Sequence, residues 1–151
     1  MSFDVVSVDS SEARRLQRRQ IAEMAERYGG EGPAPLRAEQ FEAPEGCFVV
    51  GTIDGVARAC GGFRPLRPGV AEIKRMYVDP SVRRRGVGAH LLAFLEARAL
   101  AVGYGEIWLE TGSEQPDAIR LYVAAGYRPT AAYGEFRDDP RNRSFSRQLT
   151  A

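Results

Sequence analysis

The residues best able to do chemistry stand together. Arg83-Arg84-Arg85-Gly86-Val87-Gly88-Ala89-His90 puts three cations, two glycines and the one histidine of the chain in eight consecutive positions. Glycine lets a backbone come close to a ligand. Apolar residues at helical spacing follow: Leu91, Leu92, Phe94, Leu95, Ala99 and Val102. The first N–H groups of such a helix have no internal partner, and its dipole favours an anion there. The pattern therefore reads as a backbone cradle for a diphosphate, with arginines adding positive charge at its rim. A P-loop would need Lys and Ser or Thr after the second glycine, where this chain has Ala89-His90. A dinucleotide fingerprint would need a third glycine, where Leu91 stands. On spacing alone two plainer readings stay open: a basic loop entering a surface helix, and a nucleic-acid patch. The patch lacks the aromatic stacking set that single strands require.

A cradle of this kind needs a strand leading in and a helix leading out. Residues 70–78 supply an apolar, β-branched run before the turn Asp79-Pro80-Ser81, and residues 88–102 supply the helix. Upstream, residues 3–8 read as a first strand. Asp9-Ser10-Ser11 offer caps for a helix running to about Tyr28, ended by Gly29-Gly30. Residues 29–46 hold four Gly and three Pro and read as a surface segment with one short helix near 36–41. Runs 47–53 and 56–63 flank Asp54-Gly55, a strong hairpin signal. Residues 65–69 are expected to break the sheet. A strand over 106–111, a short helix over 116–125 and final strands over 127–133 and 143–149 complete the order, with a polar loop at 134–142. This predicts an α/β (α+β) fold: a single domain over residues 1–151, with a mixed, mostly antiparallel twisted sheet of six to seven strands flanked by helices.

Composition narrows the function. Twenty-one Lys and Arg against 20 Asp and Glu leave a net charge of +1, so bulk attraction to polyanions is not expected and any anion site must be local. Of the 21 cations, 20 are arginine and one is Lys74. No apolar run reaches the ~18–20 residues of a membrane span. The N-terminal residues do not form a signal peptide. Cys47 and Cys60 make neither a disulfide framework nor a zinc site, so no metal is expected and the setting reads as reducing and cytoplasmic.

Arg83-x-x-Gly86-x-Gly88 resembles the Gln/Arg-x-x-Gly-x-Gly/Ala signature of the GNAT family of N-acetyltransferases. Two further segments resemble that family in the same order and spacing. Residues 71–80, Ala-Glu-Ile-Lys-Arg-Met-Tyr-Val-Asp-Pro, look like its fourth strand. Residues 117–127, Asp-Ala-Ile-Arg-Leu-Tyr-Val-Ala-Ala-Gly-Tyr, look like its Ala-x-x-Leu-Tyr-x-x-x-Gly-Phe helix and the strand after it. The resemblance covers about residues 47–149.

The resemblance implies acetyl-CoA as co-substrate and direct acetyl transfer to an amine acceptor. It implies that the fourth and fifth strands splay apart to admit the pantetheine arm, held by the backbone of Met76, Tyr77 and Val78. Arg83, Arg84, Arg85, Gly86, Val87, Gly88 and Ala89, with His90, would hold the diphosphate. Gln115 stands where many members carry an Asn that touches the pantetheine. Tyr122 matches the family's general acid for the departing thiolate, and contacts the cofactor in that role. Glu72 matches the strand-four base of some members and is the first candidate; Glu110 matches a strand-five base of others and is the alternative. The acceptor site is expected from residues 26–44 and 133–143, whose mixed acids and arginines suit a small amine or an amino-acid-like molecule, with protein or peptide amines second. A non-catalytic acyl-CoA-binding module is the reading from another class. No nucleic-acid or membrane partner is implied, and the chain is expected as a monomer or homodimer.

Overall fold

A computed structural model describes residues 1–150. Seven strands form one sheet in the order β1-β2-β3-β4-β5-β7-β6. They are β1 Ser2–Val5, β2 Cys47–Ile53, β3 Val56–Arg67, β4 Val70–Val78, β5 Glu106–Gly112, β6 Arg128–Thr130 and β7 Asn142–Gln148. Three helices pack on it: α1 Ser11–Tyr28, α2 Val87–Val102 and α3 Pro116–Ala124. Neighbouring strands are antiparallel except β4 and β5, which run parallel because α2 crosses between them. No helix among the described residues is long and apolar enough to cross a membrane.

The sheet separates two apolar layers. Side chains alternate along β2: Cys47 and Val49 join Phe63, Leu91, Leu92, Leu95 and Ile107 in the layer under α2. Phe48 and Val50 join Leu16, Phe41 and Cys60 in the layer under α1. Helix α2 turns Val87, Leu91, Leu92, Leu95 and Ala99 inward, and glycines with left-handed backbone, Gly86 and Gly103, bound it at both ends. Helix α1 starts at Ser10, whose side chain accepts from the Ala13 N–H.

A bulge in β4 carries most consequence for the site. Lys74 pairs with Gly62 and Tyr77 with Cys60, so Arg75 and Met76 together oppose Gly61. Arg75 takes a φ of 61°, rare for a non-glycine residue. The extra residue reverses the alternation. Ala71 and Ile73 upstream face the α2 layer; downstream Met76 does, and Tyr77 is sent to the α1 layer. Gly61 leaves room for this, since a Cβ there would stand 2.7 Å from the Met76 sulfur.

Three boundaries depart from the sequence expectation. Strand β3 runs through Pro65 to Arg67 instead of breaking there. Its last pair with β2 is Phe63 with Cys47, so Pro65 sits where one side of the strand is already an edge. Strand β1 stops at Val5, because the Ser10 N–H closes a turn on the Ser7 carbonyl that leads into α1. Strand β6 stops at Thr130 rather than 133, as the chain leaves the sheet edge to lay Tyr133 and Phe136 across β4 and β5.

Candidate active site

Strands β4 and β5 fork. They pair from Val70 with Glu106 to Ile73 with Leu109, and no further. Lys74 and Glu110 are therefore the first residues beyond the fork on each side. Beyond it, Lys74 to Val78 have β3 on one side only. Along an antiparallel strand the backbone groups of successive residues point to opposite sides. The Asp79 N–H donates to Arg58 on the β3 side, so Met76 and Val78 turn theirs toward the fork. A cleft of about 380 Å³ opens there, lined by the end of α1, the loop at 29–33, both strands, Gln115, Tyr122 and residues of the loop before β7.

The loop from β4 to α2 is built as the spacing predicts, with one difference in its arginines. The first intrahelical bond of α2 runs from the His90 N–H to the Gly86 carbonyl. The N–H groups of Val87, Gly88 and Ala89 thus lie in the unpaired first turn. Gly86 has a φ of 79° and allows the turn. Gly88 is needed for space: a Cβ there would lie 3.2 Å from Leu121 Cδ2 of α3. Arg84 and Arg85 are exposed. Arg83 is not a mobile rim charge. Its Nε donates to the Val78 carbonyl at 2.9 Å, and its terminal nitrogen donates to both carboxylate oxygens of Glu23 at 2.9 and 2.7 Å. Its side chain anchors the loop to α1 and to the end of β4. Asp79 anchors the same loop. It accepts from the Ser81 N–H and hydroxyl, and Arg19 of α1 pairs with it at 2.6 Å. Burial would raise this carboxyl, but the Ser81 hydrogen bonds and Arg19 outweigh burial and hold it below the usual range. His90 is exposed, with Nδ1 2.8 Å from the Gly86 carbonyl.

Tyr122 lines the cleft while being 5% exposed. Its ring packs on Tyr127 and Phe145, with centroids 5.8 and 6.4 Å away. Burial alone pushes its phenol well above the usual range. Gln115, before α3, also lines the cleft and accepts from the Tyr28 hydroxyl at 3.3 Å.

The two glutamates part company. Both were expected at the splayed strands, but Glu72 lies below the fork, paired with Trp108 of β5. It is 3% exposed and is not part of the cleft wall. Its oxygens are taken by Arg64 at 3.2 Å and by the Tyr133 hydroxyl at 2.6 Å. Glu110 lies in the cleft wall. One oxygen accepts from the Phe136 N–H at 3.1 Å and from Asn142 at 3.0 Å; the other is buried with no partner. Desolvation raises its carboxyl above the usual range, against a smaller lowering by Lys74. A carboxylate with one unpartnered oxygen and a raised pKa is a stronger proton acceptor than an ordinary carboxylate.

Several cleft residues carried no sequence signal. Tyr28 accepts from the Glu114 N–H at 3.0 Å and takes the space that a Cβ on Gly112 would need. Glu23, which holds Arg83 and does not line the cleft, is one of three acids on α1. Arg75 reads as a strand-edge mate for Glu72, yet the bulge turns it away, and its guanidinium reaches the Ala34 carbonyl at 3.3 Å.

Known proteins share this fold. The acetyltransferase (GNAT) family profile matches residues 14–127. An IAA acetyltransferase of Azospirillum brasilense is 32% identical over 127 residues, spanning 80% of this chain and 83% of that protein. An acyl-CoA N-acyltransferase structure from Klebsiella pneumoniae superposes with a TM-score of 0.82 at 26% identity, covering 99% of this chain and 97% of that one. A GNAT acetyltransferase structure from Elizabethkingia anophelis with acetyl-CoA bound has the same fold, with a TM-score of 0.73 at 16% identity, covering 98% and 97%. With the profile matching well over half of its length, the chain belongs to the GNAT family and is an acyltransferase.

Proposed function

We propose that this protein transfers the acetyl group of acetyl-CoA to the primary amine of a small molecule, with Glu110 as general base and Tyr122 as the proton donor to the departing thiolate. One observation carries the reading: Glu110 and Tyr122, from different elements, line the same cleft just beyond the β4–β5 fork. The residues present suit the co-substrate. The unpaired first-turn N–H groups of α2 suit a diphosphate. The Met76 backbone and the Val78 N–H suit an extended amide-bearing arm, while the Val78 carbonyl is held by Arg83. Gly88 brings no side chain to the cradle, and a Cβ there would crowd Leu121 of α3. When bound, acetyl-CoA supplies a thioester activated toward amines.

The chain's own groups then divide the proton traffic. An acceptor enters as an ammonium and must lose a proton before its nitrogen lone pair can attack. Glu110 is the carboxylate of the wall placed at the fork to accept it, once the Gly134 segment that covers its unpartnered oxygen gives way. As the C–S bond breaks and the C–N bond forms, the sulfur needs a proton, which the Tyr122 hydroxyl supplies. Glu110 is preferred to Glu72 because Arg64 and Tyr133 hold Glu72 outside the cleft. The cleft volume favours a small acceptor over a folded protein surface. The IAA acetyltransferase relative supports a small molecule as well. Two buried free thiols suit a reducing, cytoplasmic setting.

The test is thiol release from acetyl-CoA across a panel of small primary amines, with acetyl-CoA binding measured separately by calorimetry. Turnover with at least one amine, abolished in Glu110→Gln while acetyl-CoA affinity persists, is the expected result. Absence of acetyl-CoA binding would overturn the proposal.

A further inference from the structure

Four buried side-chain polar atoms among the described residues lack a hydrogen-bond partner: Gln20 Oε1, Arg75 Nε, Glu110 Oε1 and Thr111 Oγ1. All four belong to residues of the one cleft. Buried polar groups are nearly always paired, so four orphans among the residues of one wall set this wall apart from the rest of the fold. Their types are informative. Gln20 Oε1 and Glu110 Oε1 can only accept, which suits an ammonium. Arg75 Nε can only donate, which suits a carboxylate. Thr111 can do either.

The charges agree with the orphans. Lys74 and Arg75 both stand in the cleft wall. Lys74 Nζ reaches Glu135 only at 3.9 Å, and Glu135 also accepts from the Ala34 N–H at 2.8 Å. No carboxylate among the described residues lies within ion-pair distance of Arg75. Its guanidinium is held by one carbonyl at 3.3 Å, and burial lowers its pKa. The acid–base pair at the more exposed end of the wall, Asp139 with Arg141, is closed on itself at 2.9 Å. Glu135 is the nearest charge to both cations but is too far from Arg75 for an ion pair, so the Arg75 guanidinium keeps its capacity for a carboxylate. The backbone points the same way. Arg75 holds an unfavourable φ of 61°, and the bulge that imposes it aims the side chain at the cleft instead of along the strand face. Ile21, Met24 and Phe136 give the remaining wall an apolar character.

Resting on the acetyltransferase reading of this cleft, we propose that the acceptor is an amino acid with an apolar side chain, its carboxylate bound by Arg75 with Lys74 and its ammonium presented to Glu110. Arg75 is then a specificity-determining residue and takes no part in proton transfer.

The test uses matched acceptors: phenylalanine, phenylalaninamide and phenethylamine, with leucine, leucinamide and isoamylamine as a second series. Thiol release gives kcat and KM, and calorimetry gives acetyl-CoA affinity. The amino acids should exceed their amides and decarboxylated partners by about 10- to 100-fold in kcat/KM. In Arg75→Gln that preference should collapse through KM, with kcat and acetyl-CoA affinity kept. Arg75→Lys should restore part of it. The wild-type comparison stands even where Arg75→Gln does not fold. Equal turnover of acids and amides, or equal losses for both in Arg75→Gln, would overturn the carboxylate assignment and leave the acetyltransferase reading intact. So would the absence of turnover with all six acceptors in a protein that binds acetyl-CoA. A protein that does not bind acetyl-CoA would overturn the underlying reading instead.

Discussion

Replacing Tyr122 by Phe removes one oxygen from a residue that is 5% exposed. The ring stays, and so do its contacts with Tyr127 and Phe145 at 5.8 and 6.4 Å. Burial, with no charged neighbour contributing, is what raises the phenol. Deleting a hydroxyl in that setting should change stability by no more than about 1 kcal/mol. Acetyl-CoA affinity should also hold, because the diphosphate cradle and the β4 backbone lie on other elements. The loss should appear in the chemical step. A thiolate that departs without a positioned proton donor should cost roughly 10²-fold, the low end for a general acid, or about 2.7 kcal/mol of barrier. The loss should fall on kcat and kcat/KM together. The raised phenol stays protonated through the accessible range, so the ratio of wild-type to variant rates should be flat with pH above neutrality. Single-turnover thiol release with a confirmed acceptor, run in parallel with thermal denaturation, measures each part. An unchanged single-turnover rate would return Tyr122 to a packing role and leave thiolate protonation to solvent.

Glu110 must be ionised to act. Its folded carboxyl is raised by desolvation, so activity should fall with decreasing pH through a midpoint above the usual carboxylate range; a kcat/KM profile checks this, and Glu110→Gln should lose the acid limb with ~10²-fold or more of the rate. Gly88→Val should weaken acetyl-CoA binding more than tenfold by calorimetry, since even a Cβ there stands 3.2 Å from Leu121 Cδ2; roughly 1.4 kcal/mol of clash suffices for that factor. Arg83→Ala should weaken acetyl-CoA binding more than Arg84→Ala or Arg85→Ala, because Arg83 ties the loop to Val78 and Glu23 while its neighbours are exposed. Equal effects of the three arginines would show that charge, not loop order, holds the diphosphate.

The elements most visible in the sequence are those whose signals are local. Asp54-Gly55 gives the β2–β3 hairpin, Gly86 and Gly103 bound α2, and the period of Leu91, Leu92 and Leu95 gives its buried face. The GNAT membership was legible for the same reason, since its signature occupies six adjacent positions. What stayed hidden depends on contacts far apart in sequence. Pro65 reads as a breaker until β2 is seen to end opposite Phe63. Glu72 and Glu110 are equivalent as spacings, and only strand register decides which lies beyond the fork. The bulge at Arg75 has no glycine to announce it, yet it decides the direction of every side chain after it in β4.

Two ion pairs join α1 to the loop before α2: Arg19 with Asp79 at 2.6 Å and Glu23 with Arg83 at 2.7 Å. Between and after them on the same helix come Gln20, Ile21 and Met24, which form one wall of the cleft. Substrate range cannot therefore drift freely along α1, since a mutation that tilts the helix to admit a new acceptor also pulls on the loop expected to grip acetyl-CoA. The wall over residues 136–142 meets α1 at its last residue, where Arg141 donates to the Tyr28 carbonyl at 3.2 Å, and has no tie to that loop among the ion pairs of the described residues. Libraries randomised at Phe136 and Asn142 should yield altered acceptor preference with acetyl-CoA affinity preserved. Libraries at Gln20 and Met24 should show the two traits changing together.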